Sequence, residues 1–167
     1  MVVESRGRTE APIAPAQLDL GYVALFLALR VNELVTSHMV KEGFGDVRES
    51  HGYLIQHLIE QERSITELAR RMGVTQQAAS KAVAELLRLG AIEAIGGTDR
   101  RSKRIRLSSE GWRCVELARK VRRQIERRLG KTVGSRKYGE AKGILLECLG
   151  ELGGLERIRS RRIRPPA

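Results

Sequence analysis

The chain has 167 residues and a mass of 18.7 kDa, the size of one domain with or without an added oligomerisation element. Hydrophobic residues make up 41% of it, enough for a packed core, so wholesale disorder is excluded. The net charge of +11 is unevenly spread: residues 1–100 carry 11 basic and 13 acidic side chains, residues 101–167 carry 20 and 7. That asymmetry fits a polyanionic partner, nucleic acid or a membrane surface.

Two cysteines, Cys114 and Cys148, are too few for a disulfide framework or a zinc cluster. The longest apolar run, Gly21 to Leu29, ends at Arg30. It falls short of the ~20 residues that span a bilayer. Residues 1–17 are polar and contain Pro12 and Pro15, and with Asp19 they precede this run, which therefore does not read as a signal peptide. The expectation is a cytoplasmic protein without a membrane partner, metal or cofactor.

Residues 1–17 have no periodicity and read as a flexible arm. From Leu18 to about Glu42 runs a helix with Tyr22, Leu25, Phe26 and Leu29 on one side and Leu27, Val31, Leu34, Val35, His38 and Met39 on others. A helix apolar around so much of its girth is buried on both sides. In so short a chain the second side is expected to face another copy. A second helix over Ser50–Glu62 buries Tyr53, Leu54 and Leu58. Ser64, three residues before Glu67, opens a third with the pattern of a capping box. Gly73 ends it, Thr75 caps a fourth that runs to Leu89, and Gly90 stops that one.

Ala91–Ile95 and Arg104–Leu107 alternate in polarity and read as a hairpin, with Glu93 opposite Arg104 or Arg106. Ser108 caps a long fifth helix with Trp112, Val115, Ala118, Ile125 and Leu129 on its apolar side. A sixth helix from Ser135 steps through Tyr138, Ala141, Leu145, Cys148 and Leu152, a seam for another helix. The basic tail from Glu156 is expected to be disordered.

The third and fourth helices, joined by a few residues around Gly73, have helix-turn-helix spacing. Thr75, Gln76, Gln77, Ser80 and Lys81 lie on the outward face at the start of the fourth helix. Glutamine pairs bidentately with adenine, lysine with the acceptors of guanine, and a helix N-terminus favours phosphate. The hairpin tip Thr98-Asp99-Arg100-Arg101-Ser102-Lys103-Arg104 is a basic finger suited to a minor groove, where Asp99 aims an arginine. An ordinary helical hairpin with a solvated charged loop would show many of the same residues.

Ile65-Thr66-Glu67-Leu68-Ala69-Arg70-Arg71-Met72-Gly73-Val74-Thr75, Leu89-Gly90-Ala91-Ile92-Glu93, the run Asp99 to Arg104, and Leu107-Ser108-Ser109-Glu110-Gly111 together resemble the MarR family of winged helix-turn-helix regulators. The resemblance implies a mainly α fold with a small two-stranded β-wing, flanked by N- and C-terminal dimerisation helices. The implied organisation is an arm (1–17), a dimerisation helix and loop (18–49), a winged helix-turn-helix domain (50–108), dimerisation helices (109–155) and a basic disordered tail (156–167). It implies a homodimeric, ligand-responsive repressor on a pseudo-palindromic double-stranded DNA operator. Asp99 would buttress the wing, Arg101 would enter the minor groove, and Arg100, Lys103 and Arg104 would hold phosphates. Thr98 stands where many members carry arginine, which weakens that contact.

By the same resemblance a small aromatic ligand would lie between the dimer helices and the winged domain, lined by Tyr22, His51, Tyr53 and Trp112. Core packing accounts for those four equally well. Arg119, Arg122, Arg123, Arg127 and Arg128 form a basic band, read either as a solvated face or as an extension of the phosphate footprint. Two other classes stay open: a non-specific architectural DNA-binding protein, and a redox sensor using Cys114 or Cys148. An enzyme is not expected, because the sequence has no Gly-rich phosphate loop and no nucleophile–base set.

Overall fold

The computed structural model describes residues 14–96 and 103–160. Among the described residues, a 3-10 turn (Pro15–Gln17, at the end of the expected flexible arm), seven α-helices and one antiparallel hairpin follow in the order α1 (Leu20–Lys41), α2 (Glu49–Leu58), α3 (Ile65–Met72), α4 (Gln76–Arg88), β1 (Ile92–Ile95), β2 (Arg104–Leu107), α5 (Ser109–Val133), α6 (Ser135–Glu151) and α7 (Leu155–Arg159). This is the mainly α fold with a two-stranded wing that the sequence suggests.

Local capping chemistry sets the starts. Asp19 accepts from the Tyr22 amide at α1, Ser64 and Glu67 form a reciprocal box at α3, Thr75 accepts from Ala78 at α4, and Ser108 accepts from Gly111 at α5. Between α3 and α4, Gly73 has φ 66° and ψ 38°, a left-handed conformation that glycine adopts without strain. In the hairpin Ile92 pairs with Leu107, Glu93 with Arg106 and Ala94 with Ile105. Of the expected cross-strand ion pairs it is Arg106 that donates to Glu93, at 2.6 Å.

Leu54, Leu68, Leu86 and Ile105 are fully buried and join α2, α3, α4 and the sheet in one core. A second cluster, Val35 and Met39 of α1 against Cys114 and Val121 of α5, anchors the C-terminal half of α1. Val47 packs against both clusters.

Three elements differ from their sequence-based expectation. The second helix stops at Leu58, not Glu62, because Arg63 pairs its backbone with Ile105 in both directions, at 2.9 and 2.8 Å. That short bridge demands extended chain. Where a disordered tail is expected from Glu156, α7 forms; the Gly154 amide bonds the Leu149 carbonyl at 2.8 Å and turns the chain so that Leu155 lies against Gly150. Finally, α1 as a whole is long and apolar enough, by length and composition, to cross a membrane, although its uncharged run is short. Its middle is polar: Arg30 pairs with Glu33 at 2.8 Å, and the Asn32 amide donates to Glu49 and accepts from Arg122, each at 2.9 Å. Those bonds tie α1 to α2 and α5.

The first turn of α5 is pressed against the end of the α4–β1 turn. A β-carbon on Gly111 would meet the Ala91 carbonyl oxygen at 2.0 Å, backbone that cannot step aside cheaply. Gly111→Ala is therefore expected to destabilise the protein by roughly 2 kcal/mol, through overpacking. A urea midpoint unchanged from wild type would contradict the observed packing.

Candidate nucleic-acid interface

The inner face of α4 is Ala79, Val83 and Leu86, all buried. Its opposite side exposes Gln77, Lys81, Ala84 and Arg88, one stripe at helical spacing. Gln76 is exposed and its amide donates to the Thr66 hydroxyl of α3 at 3.4 Å, a long bond across the turn. Ser80 is half-buried at the stripe's edge, and Thr75 is exposed while its hydroxyl caps the helix. Thus Gln77 and Lys81 share one outward stripe, with Gln76 and Ser80 on its flank. Arg88 is a further cation on the same stripe that the sequence reading left out. The signal for it is plain once the stripe is traced: it lies seven residues after Lys81.

Acidic groups of this region are engaged internally. Glu85 of α4 accepts from His51 of α2, whose ring is buried, and from the Arg48 guanidinium. The His51 Nδ1 accepts the Arg48 amide at 3.2 Å, so Nε2 carries the proton it donates to Glu85 at 2.9 Å. That hydrogen bond, followed by the charge of Arg48, holds the Glu85 carboxyl below its ordinary pKa. Glu67 is likewise held below the ordinary value by the backbone amide and the hydroxyl of Ser64, with Arg104 and Arg63 adding their charge.

Of the expected wing residues, Asp99, Arg100 and Arg101 lie outside the described residues, as do Thr98 and Ser102. Lys103 is exposed. Arg104 is turned back on the protein: it donates to the Glu62 carbonyl at 2.8 Å and pairs with the Glu62 and Glu67 carboxylates at 3.4 and 3.7 Å. It braces the wing base against the first turn of α3.

Of the four candidate ligand residues, His51 and Tyr53 come together on one cavity, while Tyr22 and Trp112 lie apart from them within the single chain. Tyr53 borders a cavity of about 500 Å³ between α1, α2 and α5, with Val35, Met39, Cys114 and Arg122. His51 borders another, of about 330 Å³, between α2 and α4, with Tyr53, His57, Met72 and Lys81. Tyr22 is half-exposed and stacks on Phe26, and Trp112 is exposed on α5; neither lines these cavities. Among the described residues no three His, Cys, Asp or Glu side chains gather as a metal site.

Cys114 is 4% exposed, and burial, with Glu110 nearby, pushes its thiol up to about 11. Raised above neutrality, that pKa leaves only about one thiolate in ten thousand at pH 7. Native Cys114 should therefore react with a thiol-directed disulfide reagent at least about 100-fold more slowly than in urea at pH 7.5. Equal rates in the two states would contradict its burial.

A polar-faced α4, a tight turn from α3, and a hairpin beside them define a winged helix-turn-helix. Residues 46–102 match the model of the MarR family. No curated protein sequence matches the chain. Similar solved structures include the YusO protein from Bacillus subtilis (21% identity, 83% of this chain and 99% of that one, TM-score 0.65). A Staphylococcus aureus MepR mutant bound to an oligodeoxyribonucleotide shares 18% identity over 81% of this chain and 99% of its own, with TM-score 0.56. MepR from S. aureus bound to ethidium bromide shares 18% over 82% and 99%, with TM-score 0.59. At these identities the likeness is one of fold.

Proposed function

We propose that the protein is a homodimeric, sequence-specific DNA-binding transcriptional regulator of the cytoplasm, acting as a ligand-responsive repressor. The observation that carries this reading is the stripe of Gln77, Lys81 and Arg88, exposed on a helix whose other side is locked into the core. Gln77 and Lys81 read base edges in the major groove; Arg88, at the far end, holds phosphate. The oligonucleotide-bound MepR mutant, of similar fold, supports a duplex as the partner. In the wing, Arg101 enters the minor groove with Asp99 as its buttress, while Arg100 and Lys103 hold phosphates. Arg104 acts through the wing's position, since its guanidinium is taken up by Glu62 and Glu67.

Dimerism rests on apolar surface. Leu20, Leu25, Phe26 and Leu29 of α1 are about half exposed, and Leu152, just beyond α6, is 84% exposed. A monomer in water rarely leaves so much contiguous apolar area uncovered. A two-fold pairing of the terminal helices covers it and sets two α4 helices on successive major grooves, about one helical turn (~10 bp) apart. The α1–α2–α5 cavity, lined by Val35, Met39, Ile55 and Val115 together with Glu49, Arg119 and Arg122, suits a small aromatic ligand with a polar group, and its position between the dimer arm and the winged helix lets an occupant alter the spacing of the two α4 helices. The ethidium-bound MepR supports that use.

Lys81→Ala and Gln77→Ala should each weaken binding to a selected operator fragment by roughly tenfold or more while changing affinity for scrambled DNA less than about twofold. Arg101→Ala should cost most on A·T-rich flanks and Lys103→Ala should cost all sequences alike. Equal affinity of the wild type for operator and scrambled duplex at matched salt would instead identify an architectural protein.

Phe26→Asp should convert a dimer of twice 18.7 kDa into a folded monomer by light scattering. A wild-type protein that runs as a monomer at micromolar concentration would defeat the dimer.

A further inference from the structure

The winged-helix segment 46–102 carries eight basic and eight acidic residues, net zero. A duplex-binding module ordinarily draws DNA with a basic excess, because released counterions supply most of the sequence-independent affinity. Here the excess lies elsewhere, chiefly on α5 and beyond. Lys120, Arg123, Arg127 and Lys131 are all exposed and fall at steps of three, four and four residues, one straight stripe. Twelve residues of helix, eleven rises, place four positive charges over roughly 16 Å.

None of the four is held by an acidic group among the described residues. Two acids of α5 are engaged elsewhere: Glu110 pairs with Arg113 at 2.5 Å, and Glu126 is bonded by Lys142 of α6 at 3.3 Å. Glu116 lies one turn before Lys120, where the stripe ends beside a groove that Glu42 and Phe44 also line. The other side of α5 is taken up by Val35 and Met39 of α1, so the helix has no apolar face to insert into a lipid surface. A rod of regularly spaced cations without apolar neighbours matches the phosphate edge of a duplex, with one negative charge per ~3.4 Å of axis on each strand.

The stripe begins about eleven residues, or roughly 16 Å, along α5 from the turn that packs on the wing sheet. It belongs to the dimer arm, not to the recognition surface. We propose that this face of α5 is a second, sequence-independent DNA site that holds the phosphate backbone of another duplex while α4 engages the operator. The idea rests on the DNA-binding reading above and extends it to bridging.

The test uses the full chain saturated with unlabelled operator fragment. Binding of a fluorescent 30-bp random duplex is then followed by anisotropy from low to moderate salt. Wild type should bind the second duplex. A variant with Lys120→Gln, Arg123→Gln, Arg127→Gln and Lys131→Gln should bind it at least tenfold more weakly, with a log–log salt slope shallower by about three. Its affinity for the operator fragment should stay within twofold. A charge-keeping variant, Arg123→Lys with Arg127→Lys, should behave as wild type, and Gln77→Ala with Lys81→Ala should lose the operator while keeping the random duplex. If no operator can be selected at all, the random-duplex arm on free protein still reads the stripe, so the two proposals fail separately. Absence of second-duplex binding by wild type, persistence in the glutamine variant, an equal loss of operator binding, or displacement by polyglutamate at matched charge would each overturn the proposal.

Discussion

The Ala91 carbonyl occupies the space where residue 111 would carry a side chain, and the arrangement of the molecule follows from that contact. Ser108 locks it from both directions: its hydroxyl donates to the Gly90 carbonyl at 2.5 Å and accepts the Gly111 amide at 3.0 Å. Gly90 and Ala91 are the residues through which α4 becomes β1. The end of α4, the hairpin and the start of α5 are therefore one closely packed block. A shift of α5 at its far end must carry α4 with it, because close-packed backbone transmits displacement instead of absorbing it. Any pairing of two chains through the terminal helices thereby fixes the separation of two recognition stripes.

Charge is distributed in the winged helix by the same economy. Glu85 is committed to His51 and Arg48, Glu67 and Glu62 to Arg104, and Glu93 to Arg106. Each pair ties two elements: α2 to α4, the wing base to α3, and β1 to β2. The outward stripe of α4 meanwhile contains no acid. Within a segment of zero net charge, four of the eight acids are thus drawn into bracing pairs, and the outward stripe of α4 is locally positive. Exposed pairs of this kind add little stability individually. Their effect is on direction, since each leaves an elongated side chain with one preferred orientation.

How much of this could be read beforehand depended on range. Caps at Ser64, Thr75 and Ser108 were legible because a hydroxyl and an amide three residues apart form a local signal. The hairpin register was legible because alternation places Ile92, Ile105 and Leu107 on one buried side. Arg63 was not: a charged residue that is 2% exposed, donating through Nε to the His57 carbonyl at 2.7 Å, reads locally as the end of a polar helix. Only its distant partner Ile105 makes it strand. The candidate ligand set is legible only in part within one chain: His51 and Tyr53 border one cavity while Tyr22 and Trp112 stand apart, because amphipathic rings carry no information about which helix face closes on which. The stripe of α4 is legible in part: Gln77 and Lys81 lie in its first turns, whereas Arg88, eleven residues after Gln77, joins the stripe only once the length of the helix is fixed.

The two halves of α1 show why such a helix needs more than its own chain. Val35 and Met39 in its second half are buried against α5, whereas Leu20 to Leu29 have nothing of comparable size to pack on among the described residues. Between them stand Arg30, Asn32 and Glu33, with the Asn32 amide bonded to Glu49 and Arg122. A polar belt in that place pins α1 along its length, because sliding by one turn would strip those bonds and drive a charge under an apolar cover. The belt therefore fixes which leucines of the first half stand out as one apolar face.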